Sequence, residues 1–225
     1  MPQSISIEKK ISPDRKRTNF FKELEQLTII NLCRIMPKWV TPDLLTFFGF
    51  VGSLLVFGGF WLARHNVYFL ALSIFGLMVN WFGDSLDGRL AYFRNVPRKW
   101  YGFALDMCMD WIATGLMGLG FYLFLTEPYK ILAPVFIAGY GWSMIIALLR
   151  YKITNQYSID TGMVGPTELR IGICIMLVIG MINIIALVAI ASCVTFAVYL
   201  VNFYEFYMVL RYGDRKDKED RLVRK

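Results

Sequence analysis

Histidine is almost missing from this chain: His65 is the single one among 225 residues. A site built from several imidazoles is thereby excluded, and zinc or copper chemistry loses its usual ligand. Charge is scarce as well, at 18% of residues, where soluble domains carry about 25%. The four cysteines, Cys33, Cys108, Cys174 and Cys193, lie far apart without the paired spacing of a zinc site. They read as small buried hydrophobes. What the chain has in excess is apolar: 56% hydrophobic residues and a mean hydropathy of +0.49, against about 45–50% apolar residues in a soluble domain. Disorder, a disulfide scaffold and an ordinary soluble enzyme are all excluded. The composition is that of an integral membrane protein.

A helix needs about 20 residues to cross the hydrocarbon layer. Spans are expected near 43–63, 66–86, 100–125 and 130–150. The stretch from Glu168 to Arg211 exceeds one crossing, and between Ile171 and Val201 it holds no charge, with Asn183, Ser192 and Thr195 as polar breaks. Two tightly connected spans fit it better than one. With six spans, 22 of the 24 lysines and arginines fall on one side, and only Arg64 and Lys130 on the other. Basic residues accumulate on the cytoplasmic side, so both termini are expected there; five spans would put the basic tail outside. The expected fold is therefore an all-α integral membrane protein of six transmembrane helices with an N-terminal amphipathic surface helix.

That surface helix is expected over about 19–36, within a cytoplasmic segment 1–40 that carries no cleavable signal peptide. Phe20, Phe21, Leu24 and Leu27 share one face, with Lys22, Glu23 and Glu25 elsewhere, and Pro37 stops the helix. A helix packed under the bundle is the alternative. Thr41-Pro42-Asp43 opens the first span, with proline early and an acid at the positive end of the dipole. Residues 41–211 form the six-span unit. Residues 212–225 form a basic tail suited to anionic lipid; its interleaved acids speak against nucleic acid.

Acids inside spans are expensive and so mark function. Four stand out. Asp84 and Asp87 close span two at i,i+3, and Asp106 and Asp110 open span three at i,i+4. Each pair shares a helix face, and one short connection brings all four to similar depth. Such acids also serve as caps or ion-pair members, with Arg89, Arg94, Arg98 and Lys99 as partners, but four at one depth favour a site. Four ionised carboxylates in one cleft need compensation, which two divalent cations supply. Oxygen ligands suit magnesium or manganese, and paired metals recur in displacement at phosphorus. Gly88 and Gly102 beside them let a ligand approach the helix backbones.

The string DSLDGRLAYFRNVPRKWYGFALDMCMD resembles the signature of the CDP-alcohol phosphotransferase (CDP-alcohol phosphatidyltransferase) family, class I, D-x2-D-G-x2-A-R-x8-G-x3-D-x3-D. Asp84, Asp87, Gly88, Ala91, Gly102, Asp106 and Asp110 match. The span layout, surface helix and Thr-Pro start are also similar to the family. Two departures stand in this chain: Tyr92 replaces the arginine after Ala91, and the segment before Gly102 is one residue longer. In the family that arginine is associated with the donor's phosphates. Arg89 and Arg94 are both replacements to consider.

The resemblance implies transfer of a substituted phosphate from a CDP-linked donor to a hydroxyl acceptor, with release of CMP. It implies metal at Asp84, Asp87, Asp106 and Asp110, with Asp110 taking the acceptor proton. Donor binding is implied at Asp84, Gly88, Ala91 and Gly102, with Arg89 or Arg94. Phosphatidyl transfer from CDP-diacylglycerol is the first expectation, and a soluble CDP-alcohol with a diacylglycerol acceptor the alternative. Family members with phosphorylated acceptors tend to carry basic residues at the cytoplasmic mouth, so Arg150, Lys152 and Arg170 are read as acceptor-binding residues. Positive-inside bias alone also produces such charges. That reading points to a phosphorylated polyol such as inositol phosphate or glycerol phosphate. Homodimerisation is implied too, with Gly49 and Ser53 as a small-residue pair. An ion-coupled carrier is the reading from another class; it calls for acids at the midplane and an internal repeat, and neither is seen. A catalytically silent member, marked by Tyr92, is the third.

Overall fold

A computed structural model describes residues 22–154 and 166–223. Seven helices and two single 3-10 turns account for them, with no strand among the described residues. Helix α1 is Lys22–Ile35, α2 Pro42–Ala63, α3 Leu70–Phe93 and α4 Lys99–Phe124; α5 is Leu132–Thr154, α6 Pro166–Ile182 and α7 Ile184–Val223. The 3-10 turns, Val67–Phe69 and Tyr129–Ile131, lead into α3 and α5. Five of these segments are long and apolar enough to cross a membrane: α2, α3, α4, α5 and α7. The sixth, α6, has 17 residues, or about 25 Å of helix, the lower limit for a crossing.

The start of α2 follows its local chemistry. Thr41 caps it, its Oγ1 accepting from the Leu44 N–H at 3.2 Å, with Pro42 in the first turn. The break between α6 and α7 falls at Asn183, whose Oδ1 accepts from the backbone of Ile185 (2.9 Å) and Ala186 (3.2 Å). The polar residue within the apolar run is thus the cap of the last helix.

Helices α2 and α3 form the tightest seam. A Cβ on Gly52 would stand 2.7 Å from the Gly76 carbonyl oxygen, and one on Gly76 would stand 2.7 Å from that of Gly52. Only glycine lets these backbones meet so closely. Polar side chains bond across the seam: Asn80 Nδ2 donates to the Gly49 carbonyl (3.0 Å) and Ser53 Oγ (3.2 Å), and Ser73 Oγ to the Val56 carbonyl (3.1 Å). Gly49 and Ser53 are buried against α3, so this small-residue pair serves the seam within one chain. A second polar seam joins α5 to α7, where buried Asn202 donates to the Gly139 carbonyl (2.7 Å) and accepts from Ser143 Oγ (2.7 Å).

Apolar packing completes the bundle. Val56, Leu70, Leu77, Leu177 and Leu187 gather α2, α3, α6 and α7 around one core. A second cluster, Ile29, Cys33, Leu45, Leu86 and Leu90, holds α1 beneath α2 and α3. Helix α1 therefore packs under the bundle through Glu25, Ile29 and Cys33, while Leu27 and Ile35 stay exposed. Leu27 thus lies off the buried face, and the side chains of Phe20, Phe21 and Leu24 fall outside the described residues. Burial pushes the Cys33 thiol above its ordinary value. Cys108 and Cys193 are exposed, which corrects the expectation of four buried cysteines.

Two boundaries differ from those read in the sequence. The second span ends at Phe93 rather than near residue 86, because Leu86, Leu90 and Ala91 are buried and packing prolongs the helix. Asp84 and Asp87 consequently lie within α3, not at its end. The last helix continues to Val223, so most of the basic segment is a helical extension. Lys216 Nζ ties it to the Ile153 carbonyl at the end of α5 (2.8 Å). Trp39, Tyr68 and Trp100 are strongly exposed near helix ends, as interfacial anchors are.

Candidate active site

Helices α3 and α4 run antiparallel, joined by residues 94–98. Their carboxylates meet as the spacing predicts: one oxygen each from Asp84, Asp106 and Asp110 lies within 4.8 Å of the others. Asp87 flanks this trio. It accepts from Thr46 Oγ1 on α2 at 2.7 Å and lines the same cleft as Asp84 and Asp106. The four acids are brought together, three as a cluster and the fourth at its side. Their hard oxygen donors, partly buried in a cleft, fit magnesium or manganese.

One cation enters the cluster from a distant part of the chain. Arg170, on α6, places Nη2 2.7 Å from Asp84 Oδ2. Arg170 was singled out, but as one of a trio, and the structure gives the trio three separate settings. Arg150 is paired with Glu205 on α7, and Lys152 is exposed.

The cleft opens above the carboxylates, between the first turns of α2 and α4 and the last turns of α3. Gly88 and Gly102 line it, and a Cβ on either would meet nothing within 4 Å. Neither glycine is demanded by packing, so both leave open backbone facing the cleft. Ala91 and Tyr92 line it from α3, Phe103 from α4 and Tyr151 from α5.

The two arginines read as replacements for the missing family arginine have different surroundings. Arg89 lines the cleft but is buried, donating to Glu25 Oε1 on α1 (3.0 Å) and the Ser85 carbonyl (2.8 Å). Glu25 Oε2 accepts in turn from Thr167 Oγ1 on α6 (3.1 Å). A buried acid on the apolar side of α1 went unread as a functional residue; its place one turn before Ile29 was the signal. Arg94 donates instead to the carbonyls of Val40, Met36 (3.2 Å) and Pro37 (2.8 Å), stitching the α1–α2 connection to the end of α3. At the mouth, Arg98 pairs with Asp43, both about half exposed, and its guanidinium lies 4.1 Å over the Tyr101 ring.

Residues 39–204 match the CDP-alcohol phosphatidyltransferase family. The chain belongs to that family, whose members carry out phosphatidyl transfer from CDP-linked donors to hydroxyl acceptors. This assignment supersedes the carrier reading. The fold is similar to the crystal structure of the Mycobacterium tuberculosis phosphatidylinositol phosphate synthase with CDP-DAG bound, at a TM-score of 0.57 and 19% identity, over 83% of this chain and 94% of that one. No curated protein matches the chain.

Proposed function

We propose that this protein transfers a phosphatidyl group from CDP-diacylglycerol to the hydroxyl of a phosphorylated polyol, such as inositol phosphate or glycerol phosphate, releasing CMP. The observation that carries this reading is the Asp84, Asp106 and Asp110 cluster beneath the open glycines Gly88 and Gly102. The acceptor oxygen attacks the phosphorus distal to cytidine and forms the new O–P bond. The bond from that phosphorus to the bridging oxygen breaks, and CMP leaves with that oxygen. Asp110 takes the acceptor's proton.

Asp84, Asp87, Asp106 and Asp110 would hold two divalent ions, magnesium or manganese, which would supply charge neutralisation for the diphosphate and polarisation for the acceptor hydroxyl. Gly88, Ala91 and Gly102 give the nucleotide a surface without side-chain bulk, with Asp84 and Arg89 bordering it. Arg170 is the acceptor-side cation: its 2.7 Å contact with Asp84 supports a position where a phosphorylated acceptor meets the reacting centre. Arg150 and Lys152 act further out at the mouth. Both termini lie in the cytoplasm, supported by the distribution of basic residues, and the protein works as a homodimer.

The test is release of CMP by the detergent-purified protein with magnesium, CDP-diacylglycerol and a panel of hydroxyl acceptors. Acceptor-dependent release that Asp110→Asn abolishes supports the reading. Release only from CDP-choline or CDP-ethanolamine with diacylglycerol would reverse the roles of the two substrates. Silence with every donor, despite magnesium binding, would make this a silent member of the family.

A further inference from the structure

Resting on that donor reading, we infer that Arg98 is the cation that grips the donor's diphosphate in this chain, in place of the arginine that Tyr92 displaces. Among the described residues, three basic ones line the cleft: Arg89, Arg98 and Lys99. Arg89 is buried, with its guanidinium already engaged by the Glu25 carboxylate and the Ser85 carbonyl. Turning it to a ligand would strip a buried carboxylate of its counter-charge, a costly exchange. Lys99 and Arg98 both lie over a neighbouring ring, at 5.8 and 4.1 Å, but an ammonium lacks the planar fork that matches two phosphate oxygens.

Arg98 differs from both. Its partner Asp43 is 49% exposed and its own side chain 51% exposed, so the pair is of the weakly stabilising surface kind. A phosphate can displace the Asp43 carboxylate with little loss, since water receives it.

The register of α4 points the same way. Arg98, Gly102, Asp106 and Asp110 recur at intervals of four, and the Gly102 N–H donates to the Arg98 carbonyl at 2.7 Å. Arg98 is thus the cap of α4, and it lines the cleft together with Gly102 and Asp106 on the two turns that follow. Arg98 stands about 12 Å along the axis from Asp106, with the open backbone of Gly102 between. A diphosphate anchored on the carboxylate side and an extended guanidinium together span that gap. The two departures from the family pattern thereby offset one another: α3 presents a phenol at position 92, while the longer connection delivers an arginine to the same mouth from α4.

The experiment measures KM and kcat for CDP-diacylglycerol with the full-length protein in detergent, alongside its thermal unfolding. Arg98→Ala should raise KM on the order of tenfold, the worth of one charge-assisted hydrogen bond, with kcat within about twofold. Arg98→Lys should fall between. Asp43→Asn releases the guanidinium and should lower KM, and Tyr92→Arg added to Arg98→Ala should recover much of the loss. Equal rises in KM for Arg98→Ala and Asp43→Asn would overturn the inference, because the pair would then be a clamp on the mouth. An unchanged KM in Arg98→Ala would overturn it too. Absence of CMP release by the wild type from any CDP-linked donor would instead sink the donor reading, and this inference with it.

Discussion

Glycine plays opposite parts in two regions of this molecule. In the α2–α3 seam, side-chain atoms on Gly52 or Gly76 would collide with the facing backbone. In the cleft, Gly88 and Gly102 have nothing within 4 Å of where a Cβ would stand. The first pair is required by the protein's own packing. The second leaves room that the protein does not fill, and a glycine kept in a helix without a packing reason lowers helix stability by about 0.5–1 kcal/mol. Gly58, Gly115 and Gly172 are equally open, so what sets Gly88 and Gly102 apart is that their open backbone lines the cleft beside the carboxylates.

The largest effect that sharpens this contrast belongs to the cleft. Asp110→Asn should lower the rate of CMP release by about 10²–10⁴-fold while leaving thermal unfolding in detergent unchanged; loss of fold together with activity would make Asp110 a scaffold residue. Next comes the junction between the two regions. Glu25→Ala leaves the buried Arg89 without its counter-charge and should destabilise by about 3–5 kcal/mol, read as a lowered midpoint of denaturant unfolding. In the seam, Gly52→Val should destabilise by at least about 1–3 kcal/mol through overpacking, and its residual activity should track the fraction folded. The smallest effect is the most discriminating. Gly88→Ala should raise stability by about 0.5–1 kcal/mol yet weaken the donor, measured as a higher KM for CDP-diacylglycerol. A seam-like loss of stability there would erase the distinction.

Much of this was legible beforehand because membranes impose strict periodicities. The i,i+3 and i,i+4 spacing of Asp84, Asp87, Asp106 and Asp110 predicted their convergence, since a short link between antiparallel helices leaves them no other place. Span positions followed from apolar length. The end of α3 did not, because what extends it to Phe93 is contact between Leu86 and Leu90 and helix α1, a long-range effect no local pattern reports. Arg170 reaches Asp84 across 86 positions of sequence, and its side chain is drawn there by the carboxylates' field rather than by neighbours in the chain. Glu25 was read onto the polar face of an amphipathic helix for the same reason: the partner that makes its burial tolerable, Arg89, lies 64 positions away.

The one-residue break at Asn183 bears on how this protein can be mapped. Helices α6 and α7 meet with only that residue between them, and its side chain is occupied in capping α7. The pair offers no loop for a protease to grip and no slack for an inserted epitope or glycan acceptor. Reporters for that end of the bundle belong in the connections 64–69 and 125–131. A tag forced between α6 and α7 would report on a broken hairpin rather than on sidedness.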